Sequence, residues 1–178
     1  MMTRAQPLNP TLAKWNELDA PSAIETILPC NGSQAWASKL TALRPFRAVA
    51  DLTSTADLVW RALSASDWQQ AFDSHPRIGE HHAKAATTAS LALSSAEQSA
   101  VQLTAETQAA LAATNRAYEE KFNRIFIVCA TGKSAAEMLA ILQHRLTNDP
   151  STELLEAAEQ QRQITQLRLR KWLAEPDP

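Results

Sequence analysis

Glycine is scarce in this chain, with three in 178 residues. That scarcity removes the loops that cradle phosphates: no GxGxxG and no Walker sequence is present, so nucleotide binding of those kinds has no support. Cysteine is scarcer still. Cys30 and Cys129 stand alone without CxxC spacing, which argues against a disulfide framework and for two small buried apolar residues. No apolar run reaches membrane-spanning length. Residues 1–10 lack the apolar stretch of a secretory signal, and Glu175-Pro176-Asp177-Pro178 is not a peroxisomal tripeptide signal. A cytoplasmic protein that does not engage the membrane is expected. The formal charge is −2 and the charges are interspersed. There is no basic stripe for nucleic acid and no acidic tail. A small anionic ligand stays compatible with this balance, because local arginines decide that.

With little glycine, abundant alanine and a single strand-like run, the chain reads as an all-α single domain over 1–178, with 1–8 and 174–178 expected to be flexible. Asn9 and Pro10 open a short helix to about Leu18, with Trp15 as its buried anchor. Asp19 restarts a second through Ile24 and Ile27, stopped near Pro29. Ser33 begins a third with Trp36, Leu40 and Leu43 at helical spacing, closed by the Leu43-Arg44-Pro45-Phe46 corner, where Phe46 plugs the core. Thr53 or Ser54 is expected to cap a fourth helix carrying Leu58, Ala62 and Leu63. Ser66 or Asp67 is expected to open a fifth with Trp68, Ala71 and Phe72 inward. Residues 81–93 read as a mobile loop with a short helix. Ser94…Glu97 and Ser95…Gln98 match the capping-box pattern. A long helix follows from about Thr104 to Phe122, with Leu111, Asn115, Tyr118 and Phe122 on one face. Arg124 to Ala130 is the strand-like run. It has no evident pairing partner, so its N–H groups need acceptors elsewhere, and a ligand is one such acceptor. Gly132 marks a turn, and Ser134…Glu137 is a further capping box leading a helix with Met138, Ile141, Leu142 and Arg145. Asp149 and Pro150 open the last helix, which carries Leu154, Leu155, Ala158, Ile164, Leu167 and Arg168 to about Trp172.

The densest chemistry lies in Ser74-His75-Pro76-Arg77-Ile78-Gly79-Glu80. Pro76 forces His75 away from helical geometry, and Gly79 permits a sharp turn. His75 is either a helix-end histidine or a mounted acid/base group, since an imidazole titrates near neutral pH. Glu97 is either a helix cap or a carboxylate partner to it, with Gln98 as a second directional group. Arg168 is either a surface arginine or an inward guanidinium that grips a carboxylate. Arg77 and Glu80 are expected to form a structural pair. His75, His81 and His82 do not follow a zinc spacing, so no metal is expected. No elbow or signature surrounds a serine or cysteine nucleophile.

These residues also carry a resemblance. SHPRIGE at 74–80 resembles the signature of the 2-oxo-4-hydroxy-4-carboxy-5-ureidoimidazoline (OHCU) decarboxylases of urate degradation. LRPF at 43–46, SSAEQS at 94–99, NRAYEEKFNRIFIVCATGKSAAEML at 115–139 and ITQLRLR at 164–170 are similar to further family stretches, in the same order. The resemblance implies an all-helical, often dimeric enzyme without a cofactor, acting on OHCU as its small-molecule substrate. By position, His75 and Glu97 resemble the catalytic residues. Pro76, Gln98, Phe126, Ile127 and Arg168 resemble the substrate-binding ones. One departure is visible: Asn123 stands where the family usually has glycine. Asparagine tolerates left-handed backbone best among non-glycine residues, so the turn is expected to survive. The competing reading is a helical interaction module without enzymatic activity; it accounts for the capping boxes and apolar faces but not for SHPRIGE.

Overall fold

A computed structural model describes residues 8–78, 88–98 and 104–174, and within them every side chain except those of residues 90 and 95–98. The described residues form helices and connecting segments without a strand. In chain order the helices are α1 (Pro10–Glu17), α2 (Ala20–Ile27), α3 (Gln34–Ala42), α4 (Val49–Arg61), α5 (Ala65–Asp73), α6 (Thr88–Gln98), α7 (Ala105–Phe122), α8 (Ala135–Arg145) and α9 (Pro150–Ala174), with a short 3-10 turn at Leu28–Cys30.

Most helix starts are those their capping residues announce. Asn9, Asp19, Ser33 and Thr104 each accept a backbone N–H from the first turn of the helix they precede. Ser134 and Glu137 form a reciprocal capping box, and Asp149 Oδ1 accepts from the N–H groups of Ser151 and Thr152 at 3.0 Å each. Three expectations fail. α4 begins at Val49 behind Ala48, which offers no side-chain cap, so Thr53 and Ser54 lie inside it. α5 is capped by Ser64, with Asp67 as the reciprocal partner rather than the opener. α6 begins at Thr88, which puts Ser94 and Ser95 in its interior and not at a cap. The short helix expected within 81–93 is present from Thr88, and 79–87 lie outside the described residues.

Two hydrophobic clusters make the interior. One gathers Trp15, Trp36, Leu40, Leu52, Trp60, Phe72 and Leu169 from α1, α3, α4, α5 and α9. Its indoles are buried with their N–H groups satisfied: Trp15 donates to the Ala23 carbonyl at 2.9 Å, Trp36 to Ala56 at 3.1 Å and Trp60 to Ala158 at 2.9 Å. Phe46 stacks on Trp15 with centroids 6.2 Å apart, and Arg44 donates to the carbonyls of Trp15, Leu18 and Thr41. The 43–46 corner is therefore a clasp on α1. Leu43, expected to face inward, is exposed. So are Leu58 and Leu155; the inward face of α4 is Leu52, Ala56, Val59 and Trp60.

The other cluster holds Leu111, Tyr118 and Phe122 of α7 with Met138 and Leu142 of α8. Residues 125–130 run between the two clusters without pairing to a strand. Side chains alternate along extended backbone, and here the alternation is divided between two cores. Ile125, Ile127 and Cys129 enter the first, and Phe126, Val128 and Ala130 enter the second. Apolar burial on both sides stands in for a sheet partner.

The turn into this segment is made by Asn123, with φ +52° and ψ +34°, whose N–H closes α7 on the Glu119 carbonyl. Asn123→Ala should lose about 1 kcal/mol of stability, since the left-handed conformation costs an ordinary L-residue about 1–2 kcal/mol. Asn123→Gly should leave stability near wild type. Urea unfolding midpoints of the two variants check this.

Candidate active site

α5 ends at Asp73, one turn before Pro76, which has no N–H and restricts the residue before it. The last turn closes on itself: Ser74 Oγ donates to the Ala71 carbonyl at 2.7 Å, and the His75 N–H donates to the Phe72 carbonyl at 3.1 Å. The chain leaving Cys30 presses against this turn. A Cβ on Gly32, which has φ +96°, would lie 2.2 Å from Ser74 Oγ. Only glycine fits there, which was not evident from the sequence.

His75 is 8% exposed. Its Nε2 lies 2.8 Å from Gln161 Oε1 on α9. Around it opens a small cleft lined by His75, Pro76, Ile78, Ser94, Phe126 and Ile127, among others. Residues from α6, the 74–78 turn and the 125–130 segment thus meet at one place. Arg168 is buried to 1% exposure. It donates to Ser94 Oγ at 3.0 Å and to the Pro29 carbonyl at 3.1 Å, so it is turned inward and is not a surface arginine. Arg77 pairs with Glu119 of α7, Nη2 to Oε2 at 2.7 Å, and so ties the turn to the long helix. Glu80, Gly79, His81 and His82 lie outside the described residues, as do the side chains of Glu97 and Gln98. Among the described residues no cluster of three or more His, Cys, Asp or Glu is arranged to hold a metal.

The electrostatics of His75 are set first by burial and then by the nearby Arg168 charge, which together push its pKa down to about 3 against a weaker pull upward from Gln161. The imidazole is neutral at physiological pH. The sign for stability follows. The unfolded chain takes up a proton on this residue near pH 6.5 that the folded chain refuses until about pH 3. Stability from this group is complete above pH 6.5 and falls as pH drops through that window, by up to about 1.4 kcal/mol per pH unit. Comparing urea unfolding of wild type and His75→Gln between pH 4 and 8 isolates it: the slope should be present in wild type and absent in the variant.

The backbone of 125–130 is partly satisfied by side chains. Gln160 Oε1 accepts from the Cys129 N–H at 2.9 Å, Arg145 Nη1 donates to the Ile127 carbonyl at 2.6 Å, and Lys133 Nζ donates to the Cys129 carbonyl at 2.7 Å. Ser94, Gln161 and Arg145 were not singled out as site residues by the sequence reading. Gln161 lies in a run with Gln160, Gln163 and Gln166 that resembles a solvated face, so nothing in the residue pattern marks it.

Comparison with known proteins gives a consistent answer. A sequence profile of the OHCU decarboxylase family matches residues 16–170. The chain is 35% identical over 144 residues to the uric acid degradation bifunctional protein TTL of Arabidopsis thaliana, covering 80% of this chain and 44% of that protein. It thus spans less than half of the plant protein's length. It is 25% identical over 163 residues to a 2-oxo-4-hydroxy-4-carboxy-5-ureidoimidazoline decarboxylase of Haloferax volcanii, covering 89% of this chain and 94% of that one. Its fold matches a crystal structure of OHCU decarboxylase in the presence of (S)-allantoin, at TM-score 0.71 and 33% identity, over 83% of this chain and 96% of the other. An (S)-allantoin synthase shares the fold at TM-score 0.69 and 16% identity, over 93% of this chain and 54% of that one.

Proposed function

The chain belongs to the OHCU decarboxylase family, and on that premise we propose that it converts OHCU to (S)-allantoin by acid/base catalysis within the cleft at His75. The observation that carries this reading is convergence. His75, Pro76, Phe126 and Ile127 line one cleft, and Arg168 reaches its Ser94 wall, although the five are spread from position 75 to position 168.

The chemistry fits such a site. OHCU carries its carboxylate on C4, beside the imine carbon C5. As the C4–CO2 bond breaks, its electron pair forms C4=C5 and the C5=N pair moves to the ring nitrogen, which takes a proton. Removing the C4 hydroxyl proton and delivering one to C5 then gives the C4=O and C5–H of allantoin, with a net uptake of one proton. The imine is a built-in electron sink, so the reaction needs no added electron carrier. The protein must hold the carboxylate, stabilise charge on the ring and protonate one face of C5. His75 takes the C4 hydroxyl proton. Arg168 anchors an anionic or carbonyl group. Phe126 and Ile127 shape the pocket, partly through their backbone, and Pro76 fixes the imidazole. Glu97 orients ring or ureido N–H groups, and Gln98 hydrogen-bonds the ureido arm. The neutral state of His75 leaves a lone pair to take the proton, and the negative charge of bound substrate beside it would have to raise its lowered basicity for the transfer.

The functional unit is a homodimer acting in the cytoplasm. Family resemblance and the exposed Leu58 and Leu155 support the first; light scattering at micromolar concentration tests it, and a monomer mass refutes it. No helix among the described residues is long and apolar enough to cross a membrane.

OHCU made in place by urate oxidase and hydroxyisourate hydrolase provides the direct assay. Added protein should speed the loss of OHCU absorbance and the release of CO2 far above the spontaneous rate. An unchanged rate would favour the interaction module.

A further inference from the structure

The hydrogen-bond chain behind His75 fixes which of its nitrogens carries the proton. Gln161 Nε2 donates to the Asn31 backbone carbonyl at 3.1 Å and points to Thr165 Oγ1 at 3.4 Å. A backbone carbonyl only accepts, so the amide end of Gln161 faces Asn31 and its oxygen faces His75. Thr165 holds the same sense: its hydroxyl donates to the Gln161 carbonyl at 2.9 Å, and its oxygen accepts from Asn31 Nδ2 at 2.9 Å. Asn31 is oriented in turn, because its Oδ1 accepts the Ser33 N–H at 3.1 Å. Each side chain whose orientation is ambiguous alone is thereby tied to a backbone group whose role is not. Asn31 and Gln161 are fully buried and Thr165 is 3% exposed, so bulk water does not offer the chain another arrangement. A flipped Gln161 amide would set its oxygen against the Asn31 carbonyl and its NH2 against Nε2, leaving buried groups unpaired.

Facing a carbonyl oxygen, Nε2 must be the donor, and a neutral imidazole then keeps its lone pair on Nδ1. We propose that Gln161 is a positioning residue that locks His75 as the Nε2–H tautomer and leaves Nδ1 as the nitrogen that accepts the substrate's C4 hydroxyl proton. The catalytic half of this assignment rests on the decarboxylase reading; the tautomer does not. In the step itself the C4 O–H bond breaks and an Nδ1–H bond forms. The O–H bonding pair closes to C4=O, the C4=C5 pair is displaced onto C5, where it takes a proton to form C5–H, and the imidazolium keeps its Nε2–H on Gln161. The Gln161 oxygen then faces a cation, to which it bonds more strongly than to the neutral ring.

Nitrogen-15 NMR of the full chain labelled at histidine tests this, with His75 assigned by the signal lost in His75→Gln. In wild type, Nε2 should resonate as a protonated nitrogen and Nδ1 as an unprotonated one; a protonated Nδ1 overturns the proposal. Gln161→Met removes the lock. Both His75 signals should move toward averaged values, and kcat should fall ~10-fold or more, since a wrong tautomer costs up to ~10⁴, while KM stays within about twofold. A folded variant whose His75 signals stay in place, whether or not its stability or rate drops, overturns the positioning role. If the variant fails to fold, the wild-type spectrum still decides the tautomer. A wild-type protein with the expected tautomer but no acceleration of OHCU loss would sink the decarboxylase reading and leave the tautomer assignment standing.

Discussion

Replacing His75 with alanine lowers kcat for OHCU by ~10²–10⁴, the range typical of losing one positioned acid/base group, and leaves the fold in place. The backbone bonds that end α5 do not involve the imidazole: the His75 N–H to Phe72 carbonyl bond is main chain and survives truncation. The ring contributes one buried hydrogen bond, to Gln161. Losing it strands an amide oxygen, a cost of about 1–3 kcal/mol if water does not follow, and the cleft beside it gives water a route in. The loss should therefore appear in rate and only modestly in stability. Single-turnover rates with fresh OHCU, paired with far-ultraviolet circular dichroism, separate the two. A variant that keeps the wild-type rate contradicts the role assigned to His75.

The largest expected loss of stability lies behind the cleft. Arg145 and Glu153 form an ion pair that is almost wholly buried, with side chains 4% and 0% exposed. Arg145 Nε donates to Glu153 Oε1 at 2.9 Å and Nη1 to the Ile127 carbonyl at 2.6 Å. Tyr118 donates to the same carboxylate, Asn148 Nδ2 donates to Oε2 at 2.8 Å, and the Arg145 guanidinium lies over the Phe126 ring. Burial and the Glu153 hydrogen bond push the Tyr118 hydroxyl above its ordinary range, so it stays a donor. One carboxylate thus ties α7, α8 and α9 to the 125–130 segment. Glu153→Ala leaves a buried guanidinium without its counter-charge and should cost about 3–5 kcal/mol, whereas replacing both partners with apolar residues of similar volume is often close to neutral. Arg145→Met combined with Glu153→Leu should recover most of the loss. Equilibrium urea unfolding gives both values, and additive losses would show that the pair does not act as a unit. Activity should stay low in the double variant even as stability recovers, because Arg145→Met takes the clamp from the Ile127 carbonyl.

Helices whose first residue is a side-chain cap were legible in the sequence. Asn9, Asp19, Ser33, Thr104, Ser134 and Asp149 each announce a start by a hydrogen bond made within a few residues. α4 was misplaced because Ala48 gives no such signal. Leu58 and Leu155 misled for a different reason: hydrophobicity does not say which apolar residues a surface leaves uncovered. In the site, the histidine mount was visible because proline constrains its neighbour locally. The buried partners were not. Arg145 and Glu153 lie on different helices at a spacing of eight, outside any single-helix rule. Gln161 acquires its meaning from Asn31, 130 residues away. The 125–130 segment was legible as extended but not as the divider of two cores, which depends on packing from both sides.

The central claim is stereospecific decarboxylation at the His75 cleft, and optical activity reads it most directly. OHCU generated in place and followed by circular dichroism should give (S)-allantoin signal rising with protein concentration in wild type, and only the slow spontaneous product in His75→Ala. Racemic allantoin at the uncatalysed rate in the presence of folded wild-type protein would contradict it.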